Sequence, residues 1–122
     1  MIGGCGQHGE IVQGEEPVWE PLLRAVGERL TGTFMWMYEV ELEDGLRLHA
    51  YKHIWTRCYV FLTEESQAYT WAPCRRYVRQ RLDFALEAAL CNWWVLAGWE
   101  AEDAEAIREA VSKANAISAR ES

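Results

Sequence analysis

The sequence predicts an α+β domain: an N-terminal helix, a four-stranded antiparallel meander, and two C-terminal helices packed on one face of the sheet. Three observations predict it. Residues 33–63 alternate apolar and polar side chains around Asp44-Gly45, the pattern of a hairpin. Apolar side chains recur at helical spacing in residues 17–32 and again from 73 to 118. Half of the 122 residues are apolar, enough for one packed core and too short a chain for two.

Residues 1–16, with glycine at positions 3, 4, 6, 9 and 14, read as a flexible arm. They lack the basic and apolar regions of a secretory signal, and no run approaches the roughly 18–20 apolar residues of a membrane span. A cytoplasmic location with no membrane partner is therefore expected. Residues 17–32 form the first helix, with Pro17 and Pro21 near its start, where a missing N–H costs little, and Gly32 just past its end. Val18, Leu22, Leu23, Val26 and Leu30 make its apolar stripe.

The meander spans 33–72. A three-residue loop, Glu43-Asp44-Gly45, pairs Leu42 with Leu46, Val40 with Leu48 and Tyr38 with Ala50, and gives Gly45 the left-handed position of a type I turn with a G1 bulge. The other face then pairs Glu41 with Arg47, Glu39 with His49 and Met37 with Tyr51. A two-residue turn would set charge beside apolar groups on both faces. The expected core face is Phe34, Trp36, Tyr38, Val40, Leu42, Leu46, Leu48 and Ala50. A bend near His53–Thr56 leads to a strand at 57–63, a polar turn at 64–67 and a short strand at 68–72. The block FMWMYEVELEDG, with LHAYKHI and the run to Leu62, resembles one in small uncharacterised bacterial proteins; the resemblance covers about a quarter of the chain and implies no activity.

Residues 73–98 form the longest predicted helix, opened by Pro73, with Tyr77, Val78, Leu82, Ala85, Leu86, Ala89, Trp93 and Leu96 on its stripe. Residues 99–118 form the last, whose thin stripe of Ala104, Ile107, Ala110, Ala114 and Ile117 suits packing on another helix.

The net charge of −7 is uneven: residues 1–44 carry nine acids and two bases, 45–81 seven bases and two acids, and 82–122 eight acids and three bases. The acidic total argues against general nucleic-acid binding and leaves it only locally, through the central basic block. The four cysteines are widely spaced and read as reduced thiols. No GxSxG, HExxH or P-loop occurs, and no catalytic residue is assigned. His49 and His53 lie on a strand, where four residues span about 13 Å, too far to share a metal ion. No metal or cofactor is expected.

Function is therefore read from surface chemistry. Seven tryptophans and the run Arg75, Arg76, Arg79 and Arg81 favour a non-enzymatic interaction module, an inhibitor- or immunity-type acidic binder of another protein or of itself. Its contacts would be those arginines with Trp71, Trp94 and Trp99. The alternative is a small-molecule-binding or enzymatic domain that uses Met35, Met37, His49, Tyr51 and His53 as the floor of a pocket.

Overall fold

The computed structural model describes residues 6–12, 16–96 and 101–121; of these, the side chains of 91–96, 101–104 and 121 are not described. It is α+β, with an antiparallel sheet and three helices. The sheet has six strands rather than four: β1 (Gly9–Val12), β2 (Phe34–Leu42), β3 (Arg47–His53), β4 (Tyr59–Leu62), β5 (Ala68–Trp71) and β6 (Tyr77–Gln80), paired in sequence order and curled into a half-barrel. The helices are α1 (Glu20–Thr31), α2 (Leu82–Leu96) and α3 (Ala101–Glu121). No helix among the described residues is long and apolar enough to cross a membrane.

Two strands replace segments read otherwise from the sequence. Within the glycine-rich arm, residues 9–12 pair with β2, and Gln7 exchanges both backbone hydrogen bonds with Tyr77 of β6, at 2.9 and 2.8 Å. The glycines there permit close approach. A Cβ on Gly9 would stand 2.6 Å from Val40 Cγ1, and one on Gly6 would stand 2.3 Å from the Tyr77 carbonyl oxygen. At the other end, residues 77–80 extend as β6, so α2 starts at Leu82 rather than at Pro73.

The hairpin register is as predicted from Tyr38 to Arg47: Tyr38 pairs with Ala50, Glu39 with His49, Val40 with Leu48 and Glu41 with Arg47. Gly45 sits at φ 88° and donates to the Leu42 carbonyl, while Leu42 N–H donates to Leu46. The same two-bond pattern recurs at 63–67 around Ser66, and at 72–76 around Arg75, both left-handed although neither is glycine. Arg75 closes a strand turn, which is why a proline-led helix start is absent there.

The single predicted core face is corrected by a bulge. Met37 is an extra residue, so Trp36, not Met37, pairs with Tyr51. Side chains before the bulge, Phe34 and Trp36, join Tyr51, Val60, Leu62 and Ala68 beneath the three helices. Those after it, Tyr38, Val40 and Leu42, point the other way and pack with Leu48, Ala50, Phe61 and Tyr77. This second cluster fills the inside of the curl, because it brings residues of β2 and β6 together. A bulge bends and twists a strand, as a closing sheet requires.

Helices α2 and α3 are tied to one another by Asp83, which is almost fully buried. Arg81 grips both carboxylate oxygens at 3.0 and 3.1 Å, and Asn115 and Ser118 of α3 donate to them at 2.9 and 3.3 Å. Burial alone would raise this carboxyl, but the bonds from Asn115 and Arg81, the guanidinium charge and the Phe84 amide hold it below the usual range. Asp83→Ala is expected to cost about 2–3 kcal/mol in urea unfolding, since it removes charge-assisted bonds at a buried site. Arg81→Ala should cost under about 1 kcal/mol, because that side chain is 46% exposed. Equal losses would mean that the α2–α3 tie does not run through the carboxylate.

Candidate functional site: an aromatic ridge inside the curl

Alternation along β4, β5 and β6 sends Tyr59 and Phe61, Tyr69 and Trp71, and Tyr77 to the face that also carries Tyr38. The rings of Tyr38, Tyr59, Phe61, Tyr77 and Trp71 form an unbroken chain of contacts. Tyr38 meets Tyr59 at 6.2 Å, Tyr59 stacks on Phe61 at 5.8 Å, Phe61 meets Tyr77 edge-on at 5.3 Å, and Tyr77 meets Trp71 at 4.7 Å. Phe61 and Tyr77 in the middle are covered, Tyr38 is half-buried, and Tyr59 is 39% and Trp71 49% exposed. Lys52 holds its ammonium 5.6 Å from the centre of the Tyr59 ring. Met35, also exposed, pairs with Lys52 on the adjacent strand.

Two phenols of the ridge, Tyr38 and Tyr77, are held protonated. Burial raises the Tyr38 pKa, and the neighbouring Tyr77 and Tyr59 phenols raise it further; burial likewise raises that of Tyr77. Both hydroxyls stay protonated at neutral pH and can donate hydrogen bonds, while the rings offer flat apolar area. That chemistry suits stacking and docking rather than proton abstraction.

The strand ends around the ridge are basic. Lys52 near the end of β3, Arg57 with Trp55 in the β3–β4 turn, and Arg75 and Arg76 in the turn that follows Trp71 of β5 supply the cations, and between Gly45 and Arg81 the acids are Glu64 and Glu65, in the turn at the opposite end of the strands. No family model, curated protein or solved structure matches the chain. The site must therefore be read from its own geometry.

The predicted arginine cluster does not lie on a helix. Arg75 and Arg76 occupy the β5–β6 turn, Arg79 lies in β6, and Arg81 is engaged by Asp83 and also covers the Phe84 ring at 4.5 Å. Trp71 ends β5 and leads into the turn that carries Arg75 and Arg76; Trp94 and Trp99 fall outside the described side chains. The alternative pocket floor is divided by the bulge. Met35 and Met37 are on the ridge side, whereas His49, Tyr51 and His53 are buried beneath the helices.

These three buried residues have structural surroundings. Tyr51 donates its hydroxyl to the Val18 carbonyl, and its pKa is pushed up by burial and by the Glu20 and Glu39 carboxylates. His53 Nδ1 accepts the Trp55 and Thr56 amides at 3.3 and 3.2 Å. His49 Nδ1 lies 3.5 Å from Glu39 Oε1. Among the described residues, no group of three or more His, Cys, Asp or Glu side chains is arranged to hold a metal ion.

Sequence reasoning missed Tyr38, Tyr59, Tyr69 and Tyr77 as site residues. Period-two spacing within 59–61 and 69–71 was the available signal, but it places them together only once 77–80 is recognised as a strand.

Proposed function

We propose that this chain is a non-enzymatic binding module that docks its aromatic ridge and the basic turns beside it onto an acidic patch of another protein. The observation that carries the reading is the continuous ring contact from Tyr38 to Trp71, buried in the middle and open at Tyr59 and Trp71. Rings braced by other rings lose little entropy on binding, and Trp, Tyr and Arg supply most of the energy at protein interfaces. Lys52, Arg57, Arg75 and Arg76, which make no salt bridge among the described residues, steer an acidic partner toward this end of the sheet. A nucleic-acid strand would have to approach a chain of net charge −7, which opposes a polyphosphate over a longer range than a finite protein patch. The inhibitor- or immunity-type role remains the nearest functional analogy. A cytoplasmic setting fits the free thiol of Cys58.

Affinity capture from extract of the source organism, with and without nuclease, tests the reading. A protein retained by the wild type should be lost about 30-fold with Trp71→Ala, a hot-spot truncation worth about 2 kcal/mol, and similarly with the double variant Arg75→Glu, Arg76→Glu. Both variants should keep the wild-type melting temperature. Retention that survives both, or that disappears with nuclease, would refute a protein-docking ridge.

A further inference from the structure

The sheet has an open edge beside the ridge. Strand β1 stands first in the strand order and is paired along its length with β2 alone. Backbone groups along a strand point alternately to its two sides. Gln7, just ahead of β1, exchanges both bonds with Tyr77 of β6 on the side away from β2, and the His8 carbonyl accepts the Glu43 amide on the side of β2. Gly9 and Ile11 therefore turn their N–H and C=O groups away from β2, as Gln7 does, and among the described residues no backbone group pairs with them there. Strand β6 does not reach them, because the chain ahead of Tyr77 folds back through the 72–76 turn. An unpaired edge of this kind is a template for one more strand.

The side chains bordering the edge define what that strand would carry. Gly9 lies against the Tyr77 ring, so close that a Cβ would meet Cε2 at 2.9 Å, and the ring lies 4.7 Å from that of Trp71. Ile11, two residues on and on the same face as Gly9, is 63% exposed, and Trp71 is open as well. The inner face of the edge is thus bordered by apolar groups. The turn that stands in place of a pairing strand carries Arg75 and Arg76, neither in a salt bridge among the described residues. On the opposite face Glu10 is paired with Glu41. A second copy of β1 would bring its own Glu10 to that acidic face, which disfavours self-pairing.

We infer that the partner of the ridge supplies an extended segment that adds to β1 as a seventh strand, hydrogen-bonded to Gly9 and Ile11. Its alternate apolar side chains lie between Ile11 and Trp71, an acidic residue meets the turn of Arg75 and Arg76, and the positions beside Glu10 are neutral or basic. Main-chain bonds give such pairing its affinity and the alternate side chains give it selectivity. The inference rests on the docking role of the ridge and adds the form in which the partner arrives.

The test selects a random dodecapeptide library, displayed on phage, against the full chain, and measures the recovered peptides in synthetic form. With a peptide bound, the Gly9 and Ile11 amides should exchange hydrogen at least about tenfold more slowly. Ile11→Pro removes the outward N–H and leaves the bonds to β2 in place, a replacement that an edge strand tolerates. It should weaken the peptides about tenfold, whereas Ile11→Thr, which keeps the donor, should weaken them no more than about threefold. If Ile11→Pro lowers the melting temperature, the exchange measurement on the wild type decides. Peptides that leave the Gly9 and Ile11 exchange unchanged, or that bind a folded Ile11→Pro as they bind the wild type, would overturn strand addition, as would a library that yields no binder. Among such peptides, loss of binding with Trp71→Ala would leave the ridge reading standing, and indifference to Trp71→Ala would remove that reading too.

Discussion

Phe61→Ala should lower stability by about 3–5 kcal/mol, a large share of the roughly 5–15 kcal/mol expected for a domain of this size. Phe61 is central to the inside of the curl: it pairs with Ala50 on one side and Tyr69 on the other, and its ring touches both Tyr59 and Tyr77. Truncation leaves a cavity that the surrounding rings cannot fill without leaving their rotamers. The backbone bridge between Gln7 and Tyr77 limits how far β6 can collapse inward. The melting temperature should fall by on the order of 10–20 °C. Tyr59→Ala, two residues away at the exposed end of the same ridge, should cost under about 1 kcal/mol. The contrast separates core from ridge. A loss below about 1.5 kcal/mol for Phe61→Ala would mean that the inner face is a loosely covered surface, and the ridge would then lack the rigid base on which its docking role depends.

The hairpin was legible because both of its faces constrain it. Setting Glu39, Glu41, Arg47 and His49 together requires the three-residue loop, and a glycine sits at the position that needs positive φ. The bulge was not legible. In FMWMY every residue is apolar, so either phase of the alternation satisfies a core, and nothing local marks the point where the strand changes face. A sheet with a core on each side can accept that change, and an open four-stranded sheet cannot. The β5–β6 turn was hidden for a related reason: it has the geometry of the Gly45 turn, but Arg75 takes the left-handed position at φ 62°, and Pro73 imitates a helix start. Once 77–80 is misread as helix, Tyr77 and Val78 fall onto a plausible helical stripe, and the aromatic ridge loses its buried anchor. The glycine-rich arm misled in the opposite direction. Composition suggested freedom, whereas Gly6 and Gly9 are small because Val40 and Tyr77 leave no room for a Cβ. What the sequence did expose was the chemistry of the site, aromatic and basic residues in one acid-poor block, without the topology that assembles it.

Mild acid should destabilise the fold through His53 in a window that carboxylates do not share. Burial lowers the His53 pKa from 6.5 to about 4. The hydrogen bonds act in the same direction: Nδ1 accepts two backbone amides, and a proton there would replace both attractions by donor–donor repulsion. The neutral ring therefore carries its proton on Nε2. Because the folded pKa lies below the unfolded one, the unfolded chain binds more protons between about pH 6.5 and pH 4. Stability is full above that window, falls as the pH drops through it, and levels off for this group below about 4. A difference of about 2.5 units at 1.36 kcal/mol each gives a loss on the order of 3 kcal/mol. Asp44 and Asp83, whose folded pKa values are lowered from 3.8, weaken the fold only as the pH falls below roughly that value. His53→Asn supplies an amide oxygen that can accept the same N–H groups and cannot titrate. Its urea midpoint should be nearly flat from pH 6.5 to 4.5, while the wild type declines steeply. Parallel profiles would show that the β3–β4 turn does not rest on an unprotonated imidazole.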